Sequence, residues 1–230
     1  MELYSATVSV LRDYYTPVAE LVKNQQRTRR AQKAQATHDR IVQAATQLFI
    51  DRGYLQTTIE AIAERADVAV ETVYARFRNK TNLMIAVKDA AVTEGGQVPL
   101  DQRPELDAIA AASDARHQVE IAAALSRGML ERISPVYAAL RDAAAADPAL
   151  REQLAGEIDR RRQFQRTIVK LIGQARSLRQ DLTLDQAAET YSALANPDLY
   201  LLLTTHHHWS ANRYQAWLAD TLRYLLLATP

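Results

Sequence analysis

The chain of 230 residues predicts an all-α fold, and three observations carry that prediction. Six Gly and seven Pro are about half of what average usage would supply, which leaves few turns. Apolar residues recur at three- and four-residue steps rather than in alternation, and capping residues stand just ahead of those runs. With 48% hydrophobic and 24% charged residues, the composition excludes a wholly disordered chain, a collagen and a coiled-coil rod.

The elements follow in order. Residues 1 to 22 place Tyr4, Val8, Leu11, Tyr15, Val18 and Val22 on one helical stripe, interrupted at Pro17. Residues 23 to 30 are polar throughout and four times basic, either a charged linker or helix end, or an arm that follows DNA backbone or enters a minor groove. Thr37 is the expected N-cap of a helix carrying Ile41, Ala44, Ala45, Leu48 and Phe49, which Gly53 stops. Thr57 and Glu60 have capping-box spacing for a short helix with Ile59, Ile62 and Ala63 inward. After the turn at Asp67, Val68 and Ala69, a third helix from about 70 to 77 buries Val73 and Phe77. Asn79 caps a fourth, with Leu83, Met84 and Val87, and Gly95 and Gly96 close the domain.

Beyond this point the spacing predicts helices over 105 to 112, 114 to 133, 135 to 146, 148 to 177, 184 to 205 and 210 to 227. Ser113, Ser134, Thr183 and Ser210 stand as N-caps and Pro135 and Pro148 in first turns, while Asn196 and Pro197 kink or split the fifth helix. The expected organisation is an extension and basic arm over 1–30, a three-helix helix-turn-helix domain over 31–96 and a helical domain for ligand binding and dimerisation over 97–230.

Charge is unevenly spread. Residues 23 to 80 carry 11 basic and 6 acidic side chains, whereas residues 81 to 230 carry 16 and 18. A basic block beside a near-neutral remainder points to a polyanion-binding module joined to a part with another task. With no Cys there is no disulfide or thiolate chemistry, and no apolar run is long enough to span a membrane. The expectation is a soluble cytoplasmic protein. No glycine-rich phosphate loop or spaced catalytic group is recognisable, so neither an enzyme nor a cofactor is expected.

Two short helices joined by a tight turn on a basic segment have the physical form of a major-groove reader. The run from Ile41 to Leu83 also resembles a known family. Its Ala44-Ala45, Leu48-Phe49, Gly53-Tyr54, Thr57-Thr58-Ile59, Ile62-Ala63, Val68, Thr72-Val73-Tyr74, Phe77 and Lys80 are similar to the N-terminal domain of TetR-family (tetracycline-repressor-like) transcriptional regulators. The resemblance is weaker over Asp181 to Leu184, Pro197 to Tyr200 and Tyr214 to Leu218. It implies a homodimeric regulator, more often a repressor than an activator, on a near-palindromic double-stranded DNA operator. It also implies a small-molecule effector that changes the spacing of the two reading heads.

The same resemblance assigns DNA contacts to Thr58, Val70, Glu71, Thr72, Tyr74, Arg76 and Lys80. Tyr74 either reaches a phosphate or packs against the first helix; Arg76 either holds phosphate or reads guanine. Lys80 is expected on a phosphate. Glu71 is either an acceptor for cytosine or a salt-bridge partner for a nearby Arg. Asp67 stands where the family usually has Gly, and Ala69 where a Ser commonly caps the reading helix.

In the C-terminal half Met129, Ile133, Tyr137, Leu140, Phe164 and Ile168 are the candidate pocket residues, competing with plain core. A pocket of roughly 300 Å³ or more would set a ligand-responsive protein apart from a constitutive DNA binder. Leu199, Leu202, Leu203, Tyr214, Trp217, Leu218, Leu222 and Leu225 offer more apolar surface than two helices hide alone, and are the candidate dimer interface. His206, His207 and His208 are consecutive, so on a helix they diverge by about 100° each and are not expected to bind metal. Arg160, Arg161, Arg162 and Arg166 form a solvated face or, alternatively, turn one guanidinium toward an anionic ligand. The rival to a regulator is an all-α small-molecule-binding protein or enzyme whose helix-turn-helix is only structural.

Overall fold

The computed structural model describes residues 2–93, 102–173 and 178–228, with side chains from Thr28 onward. Among these residues it is helical, with one isolated antiparallel bridge between Leu178 and Leu227. The chain divides into two units between Ile41 and Val42.

The first unit consists of the earlier part of α1 (Glu2–Gln56). The interruption expected at Pro17 and the new helix start expected at Thr37 are not there. Proline suits the helical φ and removes one donor, and the run from Lys23 to Ala36 is rich in Gln, Arg, Lys and Ala, all good helix formers. Thr37 is accordingly not a cap: mid-helix, its hydroxyl donates to the Lys33 carbonyl at 2.9 Å.

The second unit opens on the rest of α1, where Val42, Ala44, Ala45, Leu48 and Phe49 are buried. At Gly53 the backbone turns to φ 79°, a left-handed value that favours glycine, and regular helix gives way there. α2 (Ile59–Arg65) is capped by Thr58, whose Oγ1 accepts from the Ala61 N–H, rather than by Thr57. The Thr57 hydroxyl is buried and donates toward the Leu48 and Gly53 carbonyls, satisfying the end of α1 instead of the start of α2. α3 (Val70–Phe77) and α4 (Lys80–Val92) follow, the latter capped by Asn79 as its sequence predicts. The expected close at Gly95 and Gly96 lies outside the described residues.

The larger helical part comprises α5 (Pro104–Ala111), α6 (Ala115–Ala144), α7 (Pro148–Gly173), α8 (Leu184–Leu194), α9 (Pro197–Leu201), a π-helical turn (Leu202–His206) and α10 (Ala211–Leu226). Asp114, not Ser113, caps α6 by accepting from the His117 N–H. The break expected at Ser134 and Pro135 does not occur, because Ser134 is fully buried on the packed face of α6 and Pro135 costs that helix one bond. Thr183 and Gln186 form a complete capping box on α8, Ser210 caps α10, and Asn196 caps α9 where Pro197 splits the helix.

α6 is the central element, packed by α7, α10, α9, α5 and α4. Its junction with α8 carries a buried polar contact: the Tyr191 hydroxyl donates to the Ala122 carbonyl at 3.0 Å and lies 2.8 Å from the Ser126 hydroxyl. Burying that phenol without a partner would cost free energy, so the bond fixes the register of α8 on α6.

Candidate DNA-binding face and internal cavity

On α3 the three-to-four-residue spacing separates two faces. Val73 and Phe77 are buried beneath the helix, while Glu71, Tyr74 and Arg76 are exposed and Val70 and Thr72 are half-buried. Tyr74 keeps 46% of its surface open. Its ring does not pack away, and its hydroxyl is free to meet a polar partner. Thr58 is exposed at the start of α2, with its oxygen holding the Ala61 N–H. Glu71 and Arg76 have no ion-pair partner among the described residues, so the salt-bridge alternative for Glu71 has no contact behind it. Asp67 takes the left-handed turn conformation, φ 52°, and Ala69 begins α3 with no side-chain cap.

Lys80 is placed differently from the exposed α3 side chains. Its ammonium donates to the Tyr54 and Thr57 carbonyls, both at 3.0 Å, and lies 4.4 Å from the centre of the Tyr54 ring. Burial lowers its pKa. Two of its three N–H donors thus tie α4 to the end of α1, leaving one for another acceptor.

The first residues of α4 also reach the larger helical part. The Thr81 hydroxyl donates to Asp147 Oδ2 at 2.7 Å and lies 3.4 Å from the Tyr54 hydroxyl, while Asp147 Oδ1 accepts from the Ala149 N–H at the start of α7. The hydrogen bond from Thr81 holds the Asp147 carboxyl below its usual pKa.

The far end of α4 forms one wall of a partly open cavity of about 60 Å³. Lys88, Ala91 and Val92 contribute that wall. Met129, Ile133 and Tyr137 of α6 and Phe164 and Ile168 of α7 line it too, so five of the six side chains singled out from sequence surround one space. Leu140 is the exception; it is fully buried and does not reach the lining. The volume is far short of the roughly 300 Å³ at which ligand pockets begin.

The cavity has a charged side that sequence spacing could not join. Lys88 Nζ meets Glu157 Oε1 at 2.7 Å and the neighbouring Asp89 at 2.8 Å, and Arg160 Nη2 reaches the same Glu157 oxygen at 2.5 Å. Burial raises the pKa of Glu157, but the hydrogen bonds from Arg160 and Lys88 outweigh it and leave the carboxyl below its ordinary value. Arg161 lies 5.4 Å from the Tyr137 ring centre, whereas Arg162 is exposed and Arg166 pairs with Asp185.

Of the side chains expected at a dimer interface, Tyr214, Leu218 and Leu222 belong to the core instead. They recur every fourth residue on the inward face of α10, and Tyr214 donates to the Leu194 carbonyl at 3.0 Å and meets the Tyr200 ring edge-on. Leu199, Leu203, Trp217 and Leu225 are half-buried and Leu202 is exposed. His206, His207 and His208 are exposed where the π-helical turn ends, and no group of three or more metal-ligating side chains occurs among the described residues. No helix there is long and apolar enough to cross a membrane.

α2 and α3, joined by a tight turn and leaving one face of α3 open, have helix-turn-helix form, and α4 runs from them to the cavity wall. Residues 41–87 match the model of "Bacterial regulatory proteins, tetR family". The chain is 37% identical over 62 residues to the uncharacterized HTH-type transcriptional regulator YvkB of Bacillus subtilis (strain 168), covering 27% of this chain and 33% of that one. It is 39% identical over 62 residues to the HTH-type transcriptional regulator TtgR of Pseudomonas putida, covering 27% and 30%. The match thus spans about a third of the length of these relatives.

In fold the likeness runs further. The fatty acid degradation regulator FadR of Bacillus halodurans superposes with a TM-score of 0.66 at 17% identity, over 81% of this chain and 94% of that one. NalD, the secondary repressor of the MexAB-OprM multidrug efflux pump in Pseudomonas aeruginosa, superposes at 0.60 and 19% identity, over 86% and 100%.

Proposed function

We propose that this protein is a ligand-responsive transcriptional regulator, a repressor in its resting state, that binds a near-palindromic DNA operator as a homodimer. The observation that carries the reading is the path of α4. At one end Lys80 holds the helix-turn-helix together; at the other, Lys88, Ala91 and Val92 wall the cavity.

α3 enters the major groove, with Tyr74, Arg76 and Thr72 toward phosphates and base edges and Glu71 accepting from cytosine. Thr58 and Val70 flank the groove, and Lys80 offers its remaining N–H to a phosphate. A ligand larger than the resting cavity enters by displacing unpaired lining side chains such as Met129 and Phe164. Because α4 is one wall, the expansion moves the helix that carries the reading domain. In a dimer that movement changes the distance between two α3 helices, which must match half-sites about 34 Å apart or a multiple of that.

The test is selection of bound duplexes from a randomised pool by the full chain, followed by titration of the winner against salt. An inverted repeat bound with a steep salt slope is the expected result. Weak binding without sequence preference and without salt dependence would favour the rival, a helical small-molecule-binding protein or enzyme.

A further inference from the structure

We infer that the cavity takes a small hydroxylated carboxylate with an apolar body, received by Arg161 and Gln165 on adjacent turns of α7. The inference rests on the regulatory reading above for its consequence, but not for its chemistry.

Three cations line the cavity, and two are already matched: Lys88 by Glu157 and Asp89, Arg160 by Glu157. Arg161 alone among them has no carboxylate partner among the described residues. Its Nε is buried and without a hydrogen-bond acceptor, and its guanidinium lies by the Tyr137 ring. Its positive charge is met by no carboxylate among the described residues, and a buried donor without an acceptor is costly. An anion placed there gains a charge-assisted bond and removes an unmet donor together.

Four residues along the same helix, Gln165 lines the cavity with a side chain only 4% exposed. Its Nε2 donates to the Ala195 carbonyl at 3.3 Å, which fixes which way the amide points, and its Oε1 is buried with no donor. Residues four apart are neighbours on a helix surface. A ligand serving both therefore brings an acceptor anion beside a hydroxyl donor. Met129, Ile133, Phe164 and Ile168 require the rest of it to be apolar. A cationic ligand would compete with three resident cations for one carboxylate, Glu157, that two of them already hold.

Isothermal titration of the full chain tests this with four compounds sharing a six-carbon body: 3-hydroxyhexanoate, hexanoate, 1-hexanol and hexylammonium. The acids are expected to bind, the hydroxylated one severalfold tighter, and the alcohol and the ammonium about tenfold weaker than hexanoate or worse. Arg161→Leu, which breaks no ion pair, is expected to remove the advantage of the acids, and Gln165→Leu only the preference for the hydroxyl. Arg162→Leu, one residue along and exposed, is the control that leaves both intact. Alcohol or ammonium binding as tightly as hexanoate, acids insensitive to Arg161→Leu, or no acid bound at millimolar concentration would each overturn the assignment. Acids that bind in the expected order without releasing a selected DNA duplex would instead overturn the regulatory reading and leave the ligand class standing.

Discussion

Lys88 of α4 and Glu157 of α7 meet at 2.7 Å, with side chains only 8% and 14% exposed, and thereby join α4, which Lys80 ties to the end of α1, to the helix that floors the cavity. Removing one member of a buried pair leaves the other charge desolvated, so Glu157→Gln is expected to cost about 3 kcal/mol of stability. The pH dependence has a definite sign. A carboxyl held below its ordinary 4.5 in the folded state stabilises fully above that value, and loses its contribution as pH falls through the folded pKa. Thermal melts of wild type and variant should therefore differ at neutral pH and converge only as the pH falls through the lowered folded pKa of Glu157. A gap that persists undiminished in acid would contradict the pairing.

Lys80 and Arg76 separate stability from DNA affinity. Lys80→Met strips two carbonyls at the end of α1 of their donor, and is expected to cost about 1 to 3 kcal/mol and weaken DNA binding with it. Arg76 is exposed and bears no ion pair, so Arg76→Ala should leave the melting temperature within about 1 °C while lowering the salt slope by about one. Chemical denaturation and fluorescence anisotropy read the two quantities; an Arg76 variant that melts early with an unchanged slope would reverse the assignment.

The helical elements were legible because caps and periodicity are local: Asn79, Thr183 and Ser210 announce their helices from their own sequence neighbourhood. Thr37, Thr57 and Ser134 misled for one shared reason. A hydroxyl that can cap a helix can also satisfy a carbonyl or be buried within one, and only the surroundings decide. The cavity was legible through its large apolar side chains, since Met129, Ile133, Tyr137, Phe164 and Ile168 fall on inward faces of long helices. Its charged side was not, because Lys88 and Glu157 lie far apart in the chain and no spacing rule joins them. For α10, apolar content hid the split between an inward face at Tyr214, Leu218 and Leu222 and a more exposed remainder at Trp217 and Leu225.

α3 is under-capped. Ala69 holds N-cap backbone geometry, φ −68° and ψ 147°, with no side chain to meet the first N–H groups of α3. Ala69→Ser is expected to add about 1 kcal/mol of stability. At Asp67, φ 52° suits glycine better, and Asp67→Gly is expected to be neutral or slightly stabilising, by about 0.5 kcal/mol. Melting temperatures decide both, and a serine variant no more stable than wild type would mean that the cap geometry differs in solution.

Assembly is the last requirement of an operator with two half-sites. With Tyr214, Leu218 and Leu222 committed to the core, the remaining apolar surface near the end of the chain includes Leu202 at 45% exposure, with Leu199, Leu203, Trp217 and Leu225 half-buried. Exposed Leu on a π-helical turn gains nothing from water and gains roughly 1 to 2 kcal/mol per subunit if a second copy covers it. Light scattering after size exclusion should therefore give twice 25.8 kDa for wild type at micromolar concentration. Leu202→Lys places two cations against one another across a two-fold axis, and should shift the protein toward monomer with its melting temperature extrapolated to low concentration unchanged. A wild-type monomer would remove both the dimer and the inverted repeat; a variant as dimeric as wild type would move the interface elsewhere on the surface.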